Sequence, residues 1–362
     1  MGQRYYSEAT GETYPFDERW EVVARLYRLK DIAWNLYNRA IGPDGVHTGP
    51  WSIWRFSTPA VLYRERMAEL WQQRAYDAYS TFYGDLATRI VSNSDQETYR
   101  WLGTVPKLRE WGTGRVAKGL RTESYSVENL KYEATIEVDR DEISDDQTGQ
   151  IRVRVAELAQ RAATHKDFLL GQLLESGAAA DALAYDGVPF FSATHASGAS
   201  GNQDNDLSSD ATSPTKPTVA EFRDALKWAI GVMMGFKDDV GEPMAMSATG
   251  LTCVVPPTTY LTALEAVNAT LVSSTTTVLQ GAARVITMPW LTSDDKWYLL
   301  KNDGVVRPMI FQDREPVEFN ALAEGSEEAF KREIFLYGVR ARYRMTYGYW
   351  QFAVRTTFTV PT

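Results

Sequence analysis

The chain has 362 residues, enough for two or three packed units rather than one simple core. Its formal net charge of −9 at pH 7 argues against a protein whose main task is to neutralise phosphates. No apolar run approaches the ~18 residues needed to span a bilayer, and the N-terminus lacks the apolar segment of a secretory signal. The single cysteine, Cys253, excludes an intrachain disulfide and a thiolate metal cluster. We expect no metal, no cofactor and synthesis in the cytoplasm.

Two long helices are predicted before residue 95. Apolar residues recur at helical spacing over 17–41, and again from residue 57 through Ile90 to about residue 92, with a candidate break at Gly84. Unbroken, the second helix would be ~50 Å long. This is longer than a compact domain of this size usually needs and is typical of a helix that extends beyond its own domain. The same region is rich in aromatic residues, which indicates either a small aromatic core or an arm that lies on neighbouring subunits. Its tryptophans are Trp20, Trp34, Trp51, Trp54 and Trp71.

A hairpin is predicted next. Residues 101–115 read WLGTVPKLREWGTGR and place two tryptophans among proline and glycine breakers. From Leu130 to Val138 apolar residues alternate strictly with polar ones, which is the clearest strand pattern in the chain. Preceded by the glycine-rich, basic residues 109–121, this strand predicts one limb of a long, exposed hairpin. Because a two-stranded ribbon has no core, we expect its tryptophans to be buried against a neighbouring subunit or against the next helix.

The remaining elements alternate between helix and strand. Residues 150–176 carry one apolar stripe, which predicts a long amphipathic helix. Residues 193–218 are mainly Ser, Gly, Asp, Asn, Thr and Pro, with few apolar side chains to bury, which predicts a mobile surface loop. The elements expected beyond it are a helix over 219–236, a strand over 251–255, a helix from Pro256 to about 268, strands near 284–288, 297–300 and 306–311, and a C-terminal hairpin of 333–343 and 349–357.

The glycine-rich piece GTGRVAKG does not match the sequence pattern of a nucleotide-binding loop. Gly114 and Gly119 have the spacing of a phosphate-binding loop, but Leu120 and Arg121 follow where Lys and Ser or Thr would be needed. Basic residues of this region and of the following strand could contact nucleic acid or acidic residues of a neighbouring subunit. The negative net charge favours the second interpretation.

Two groups of residues allow a catalytic or metal-binding hypothesis. The acidic run Asp139, Asp141, Glu142, Asp145 and Asp146 could bind a divalent metal, but it lacks the glycine and closing glutamate of a calcium loop. A set of carboxylates at a helix start is the favoured interpretation. His195 has no acidic partner implied by spacing, so we expect a turn or packing residue. Neither group predicts an enzyme.

Five motifs in fixed order resemble the major head subunit family of Mu-like phages and prophages. The resemblance is specific over about 95–195 and looser from 219 to the end, whereas residues 1–75 have no match. The motifs are Tyr99 to Gly103, Pro106 to Trp111, Asn129 to Glu133, Asp145-Asp146 and Asp186 to His195.

The resemblance implies an α+β chain with the tailed-phage (HK97-like) major capsid fold. That fold has an N-terminal arm, an extended loop, a peripheral domain with a spine helix, and an axial α/β domain. The expected boundaries are a helical, aromatic-rich arm over 1–95, the extended loop over 96–148, the peripheral domain with spine helix and mobile loop over 149–218, the axial domain over 219–320, and a C-terminal hairpin returning to the peripheral domain over 321–362.

The function implied is that of a major capsid protein, assembling as hexamers and pentamers into an icosahedral head around double-stranded DNA without sequence-specific binding. Expected partners are other copies, a scaffolding protein, a portal and cement proteins, with no membrane; the expected location is the virion, after assembly in the host bacterial cytoplasm. Alternatives are another virion component (decoration, tail or portal-associated) or a metal-assisted hydrolase using the acidic run and His195. The expected inter-subunit contacts are Trp20, Trp34, Trp51, Trp54, Trp101, Arg109, Glu110, Trp111, Arg115, Lys118, Arg121 and Tyr132.

Overall fold

The computed structural model describes residues 4–7, 12–15, 81–99, 125–145, 150–196, 198–244, 246–269, 271–272, 275–276, 279–322 and 326–361. The chain divides into two units, Met1–Tyr63 and Arg64–Thr362. In the first unit, β1 (Arg4–Ser7) pairs antiparallel with β2 (Glu12–Pro15). The helix predicted over 17–41 lies outside the described residues.

The second unit mixes helices and strands, as the predicted α+β class requires. Its elements are α1 (Tyr83–Leu86), β3 (Ala87–Val91), β4 (Gln96–Tyr99), β5 (Tyr125–Glu128), β6 (Leu130–Asp139), α2 (Arg140–Asp145), α3 (Gln150–Ser176), β7 (Asp206–Asp210), α4 (Val219–Met234), β8 (Leu251–Val255), α5 (Tyr260–Asn268), β9 (Leu271–Val272), β10 (Thr275–Thr276), β11 (Arg284–Thr287), β12 (Lys296–Lys301), β13 (Met309–Leu322), α6 (Glu327–Arg332), β14 (Ile334–Tyr347), a 3₁₀ turn (Trp350–Phe352) and β15 (Ala353–Thr359).

A four-stranded sheet with the order β3-β13-β14-β6 packs against the long helix α3. β6 runs antiparallel to β14 from the pair Leu130–Tyr343 to the pair Asp139–Ile334. The strand predicted over these residues is confirmed, but its predicted place as one limb of a long, exposed hairpin is wrong, because β6 pairs with β14 along its length. Leu158 and Ala159 of α3 pack against Val339. The predicted helix over 150–176 is also confirmed.

A five-stranded sheet with the order β11-β8-β12-β15-β7 holds the largest part of the core. Every residue of β8 is buried, as expected for a strand covered on both faces. The helix α4 lies on this sheet through Phe222, whose ring is 5.0 Å from that of Trp297. The helix begins with a capping box formed by Thr218 and Glu221, which satisfies free N–H groups of its first turn. Two strands of this sheet, β7 and β15, lie outside the segment 219–320 that was expected to form the axial domain.

The C-terminal hairpin predicted from 333–343 and 349–357 is wrong. β14 pairs with β13 and β6, whereas β15 pairs with β12 and β7 in the other sheet. The chain crosses between the two sheets through the 3₁₀ turn. Trp350 at its start is fully buried and stacks on His195 with ring centroids 4.1 Å apart. The alternating patterns of β14 and β15 are similar and do not indicate which strand each one pairs with. The buried 3₁₀ turn between them places the two strands in different sheets.

The helix predicted to continue to residue 92 is wrong beyond Leu86. Residues Ala87–Val91 form β3, which runs parallel to β13. The short helix α1 before it is held by Asp167 of α3, whose carboxylate accepts hydrogen bonds from the backbone N–H groups of Phe82 (3.0 and 3.1 Å) and Tyr83 (2.8 Å). Pairing with β13 therefore overrides the helical spacing of this segment.

The segment 193–218 is not a surface loop without buried groups. It contributes β7, and its residues His195, Gln203 and Asn205 are buried. The Asn205 side-chain amide donates to the carbonyl oxygens of Phe190 (2.9 Å), Trp350 (3.3 Å) and Ala353 (3.1 Å). Hydrogen bonds between buried polar groups order this segment in place of apolar contacts, and composition alone does not reveal them.

Candidate assembly interface

The base of the predicted extended loop is a short antiparallel pair. β4 pairs with β5 so that Tyr99 lies opposite Tyr125. Residues 100–124, which carry most of the predicted contact residues, connect these two strands and lie outside the described part of the chain. Both ends of that segment are therefore held at one place, which we call the loop base (residues 95–99 and 125–129).

Aromatic side chains pack the loop base against the four-stranded sheet. The buried Tyr99 donates a hydrogen bond of 2.6 Å from its hydroxyl to the Gln312 side-chain oxygen, and the hydroxyl oxygens of Tyr125 and Thr346 are also 2.6 Å apart. Tyr99 and Val127 form a small apolar cluster with Ile310 of β13. Burial raises the pKa of both tyrosine hydroxyls, so they stay protonated at neutral pH and remain able to donate.

Polar contacts also hold the loop base on the sheet. Arg342 of β14 contacts Asp95 at 2.6 Å and Glu315 of β13 at 3.1 Å. The hydrogen bond from Arg342 lowers the pKa of the Asp95 carboxyl, and the charge of the guanidinium adds to this effect. Asn129 donates from its side-chain amide to the Ser92 hydroxyl (2.9 Å) and the Ser94 carbonyl (2.8 Å). The loop base is a defined platform on β13 and β14, and sequence patterns did not reveal its polar partners.

Tyr132 is the predicted contact residue that falls within the described chain. It is half-buried, with its ring 4.6 Å from that of His165 in α3 and 4.8 Å from that of Tyr343 in β14. It therefore packs within its own chain, and its predicted contact with a neighbour stays a prediction. Trp20, Trp34, Trp51, Trp54, Trp101, Arg109, Glu110, Trp111, Arg115, Lys118 and Arg121 lie outside the described residues.

His195 has an acidic partner that sequence spacing did not indicate. Its Nδ1 lies 2.6 Å from Oδ2 of Asp186, and its Nε2 faces the Phe190 carbonyl at 3.2 Å. The signal in the sequence was the family motif from Asp186 to His195, which contains both residues. The imidazole is fully buried and stacks on Trp350, so no substrate can reach the ring. The contact with Asp186 orients the His195 ring, and the ring packs this segment against Trp350 at the crossing between the sheets.

Three residues of the acidic run, Asp141, Glu142 and Asp145, lie in a short helix. Residues Arg140–Asp145 are α2, and the Asp139 carboxylate accepts a 2.8 Å hydrogen bond from the backbone N–H of Asp141 at its start. A capping role of these carboxylates at the start of α3 stays a prediction, because residues 146–149 lie outside the described residues. Within the described ranges, no three His, Cys, Asp or Glu side chains are grouped to hold a metal. Among the same residues, no helix has the length and apolar character to cross a membrane.

Two curated relatives resemble the chain over much of its length. The Mu-like prophage FluMu major head subunit of Haemophilus influenzae is 25% identical over 272 residues, which cover 75% of this chain and 64% of the relative. The major capsid protein of Escherichia phage Mu is 25% identical over 273 residues, which cover 75% of this chain and 65% of the relative. The chain thus spans less than two thirds of the length of these relatives.

Two solved phage capsids share the fold. The procapsid of bacteriophage JBD30 aligns with a TM-score of 0.50 and 24% identity, covering 84% of this chain and 78% of that chain. The mature capsid of bacteriophage PhiM1 gives a TM-score of 0.50 and 13% identity, covering 78% of this chain and 89% of that chain. The chain has the α+β capsid fold of tailed phages. Residues 64–221 and 292–360 match the family model, and the chain belongs to the Mu-like prophage major head subunit (gpT) family.

Proposed function

We propose that this chain is the major capsid protein of a tailed phage or prophage. Its copies assemble as hexamers and pentamers into an icosahedral head that encloses double-stranded DNA. The observation that carries the proposal is the family match over residues 64–221 and 292–360. This match contains α3, the loop base and every strand of the four-stranded sheet.

The geometry of the loop base supports the same function. The paired strands β4 and β5 hold both ends of residues 100–124, a segment that carries two tryptophans and several basic side chains. The sequence predicts a hairpin for this segment, and a two-stranded ribbon is at best marginally stable alone, so we propose that a neighbouring copy supplies the surface to which it binds. Each contact is modest, but many identical contacts in a closed shell stabilise it strongly.

The proposed role is structural rather than enzymatic. The enclosure of His195 and Asp186 argues against the hydrolase alternative, because neither group is presented to a substrate. The net charge of −9 suits a shell that does not bind its DNA tightly or by sequence. A scaffolding protein, a portal and cement proteins are the proposed partners. The virion is the proposed location, reached after assembly in the host bacterial cytoplasm.

Electron microscopy of the purified protein tests the proposal. Expressed alone or with its scaffolding partner, the chain should form hexamers, pentamers or closed shells. A chain that remains monomeric even with that partner would contradict the proposal. The alternative of a decoration, tail or portal-associated protein is tested by copy number, because the main shell protein must be the most abundant polypeptide in the particle.

A further inference from the structure

The four-stranded sheet has an open face on the side opposite α3. Three rows of residues lie in register across β6, β14 and β13 and form this surface, which we call the outer sheet face. Their side chains point away from α3, because they alternate along β14 with Val339, which packs on that helix. Seven of the nine residues are exposed, so the described part of the chain leaves this face uncovered. The rows are Glu133–Arg340–Glu318, Thr135–Gly338–Asn320 and Glu137–Leu336–Leu322.

The outer sheet face has an excess of negative charge. Glu133 and Glu318 lie on either side of Arg340, but the guanidinium of Arg340 binds Glu315 instead, at 2.6 Å from its carboxylate oxygen. Among the described residues, Glu133, Glu137 and Glu318 form no ion pair. Three carboxylates without a cation favour a basic binding partner.

The centre of the outer sheet face suits a flat aromatic ring. Gly338 has no side chain, so the surface between Thr135 and Asn320 is low. Leu322 in the adjacent row is 52% exposed, and Leu336 beside it is half-buried. An aromatic ring over Gly338 would cover the exposed parts of both leucines and exclude water from them. A partner with aromatic as well as basic side chains therefore fits this face.

Residues 100–124 of this chain combine basic and aromatic side chains. They contain six basic residues, two acidic residues and two tryptophans. The other long stretch outside the described part of the chain, residues 16–80, is nearly balanced, with nine basic and eight acidic residues. Of the two stretches, residues 100–124 are therefore the one whose charge complements the outer sheet face.

The spacing of side chains in this segment also matches the face. In an extended conformation, Lys107, Arg109 and Trp111 would project from the same side of the chain over ~13 Å, because alternate residues share a side. Glu133 and Glu137 are separated by the same four positions along β6. Two cations and an indole ring can therefore lie over the carboxylates and the central glycine at the same time.

The course of the chain favours a second copy as the source of this segment. β5 lies near one end of β14, where the Tyr125 hydroxyl contacts Thr346, whereas the outer sheet face spans Leu336 to Arg340 further along β14. Residues 100–124 leave the loop base at the Tyr125 end, away from the outer sheet face of their own chain. To reach that face the segment would have to fold back over the loop base. A segment from a neighbouring copy needs no such reversal.

We propose that residues 100–124 of a second copy bind the outer sheet face, with Lys107 and Arg109 against its glutamates and Trp111 over Gly338. The inference rests on the proposed capsid function and names the surface that receives this segment. Each contact is small, and its repetition over a shell makes it significant.

Thiol cross-linking between two variants tests this contact. Cys253 is the only cysteine of the chain and is fully buried, so introduced thiols are the reactive ones. With a short bifunctional maleimide, particles assembled from a mixture of Thr135→Cys and Arg109→Cys chains should yield covalent dimers, whereas particles of either variant alone should not. The matched control is a mixture of Arg109→Cys with Val305→Cys, at a residue 96% exposed outside this sheet, and it should remain monomeric.

Charge reversal provides an independent test. The pair Glu133→Lys and Glu318→Lys should reduce the yield of particles several-fold, because cations then face the basic segment. Adding Lys107→Glu and Arg109→Glu restores the complementarity in every copy, so the yield should recover. Circular dichroism of the monomers checks that all variants fold.

The control for charge reversal is the pair Glu157→Lys and Glu265→Lys. These glutamates are exposed on α3 and α5, outside the outer sheet face, and their replacement changes the net charge by the same amount. The yield of particles should therefore remain that of the wild-type chain.

Four outcomes would overturn the proposal. They are mixed particles without covalent dimers, a cross-link to a different polypeptide, a fourfold variant that is not rescued, and an equal loss of yield in the control pair. If the cysteine variants do not assemble, the charge reversal alone decides. A wild-type chain that forms no particles would instead contradict the proposed function, so the two failures are distinguishable.

Discussion

The hydroxyl of Tyr99 donates a 2.6 Å hydrogen bond to the side-chain oxygen of Gln312, a residue 213 positions further along the chain. Both side chains are buried, and Gln312 also donates from its amide to the backbone of Val127 in β5. One glutamine of β13 thus contacts both strands of the loop base. The position of the loop base on the sheet depends on this buried polar contact.

Tyr99→Phe should destabilise the fold by about 1–3 kcal/mol, because the side-chain oxygen of Gln312 loses its partner while buried. Urea unfolding of the monomer measures the change. Gln312→Met alone also removes the donor to the Val127 carbonyl, so the interaction between the two side chains is isolated by a double-mutant cycle of Tyr99→Phe and Gln312→Met. A coupling energy near zero would contradict a specific role for this hydrogen bond.

Asp167→Ala should cost about 3 kcal/mol, because two backbone N–H groups at the start of α1 lose their acceptor. Asp167→Asn keeps one acceptor oxygen of the same size, so its cost should be about 1 kcal/mol. Guanidinium unfolding of both variants checks the difference. If alanine and asparagine are equally destabilising, charge rather than capping is the property that matters at this position.

The stability of the fold should decrease as pH falls below about 6.5, in part because of His165. Burial lowers the pKa of His165, so the folded chain favours the neutral ring and the unfolded chain binds the proton first. The stabilisation is full above the unfolded pKa and is lost as pH falls through the folded pKa. His165→Gln should show a smaller loss of unfolding free energy between pH 8 and pH 5. An unchanged slope would contradict the assignment.

Trp111→Ala should impair assembly while changing the unfolding free energy of the monomer by less than about 0.5 kcal/mol. The reason is that this loop residue is expected to bury its ring on another copy. The control is Trp297→Ala, which removes a fully buried ring from the five-stranded sheet and should cost about 3–5 kcal/mol. Particle yield from equal amounts of folded monomer is the measurement. Equal losses of folding and assembly in Trp111→Ala would refute its role as a contact.

Elements with strong local patterns were predictable from the sequence. The helix α3 and the strand β6 have uninterrupted apolar periodicity, and both occur where that periodicity predicts them. The family was also recognisable, because its motifs keep their order between Tyr99 and His195. Periodicity identified the element, and the motifs identified the fold to which it belongs.

Elements decided by distant partners were not predictable. β3 has helical spacing and becomes a strand because β13 pairs with it. β7 contains one buried apolar residue, Leu207, and exists because β15 lies beside it. In the loop base, Gln312 lies 213 positions from Tyr99, and Arg342 lies 247 positions from Asp95. No local pattern encodes contacts at such separations.

The position of β7 at the end of its sheet has a consequence for biosynthesis. Among the described residues its one strand partner is β15, and the paired residues Asp206 and Arg355 are 149 positions apart. At translation rates of about 5–20 residues per second, β7 leaves the ribosome roughly 7–30 seconds before its partner. During that interval the strand must stay unpaired without aggregating, which its polar sequence DLSSD favours. A chain interrupted before β15 would leave β12 and β7 without the strand that joins them in this sheet.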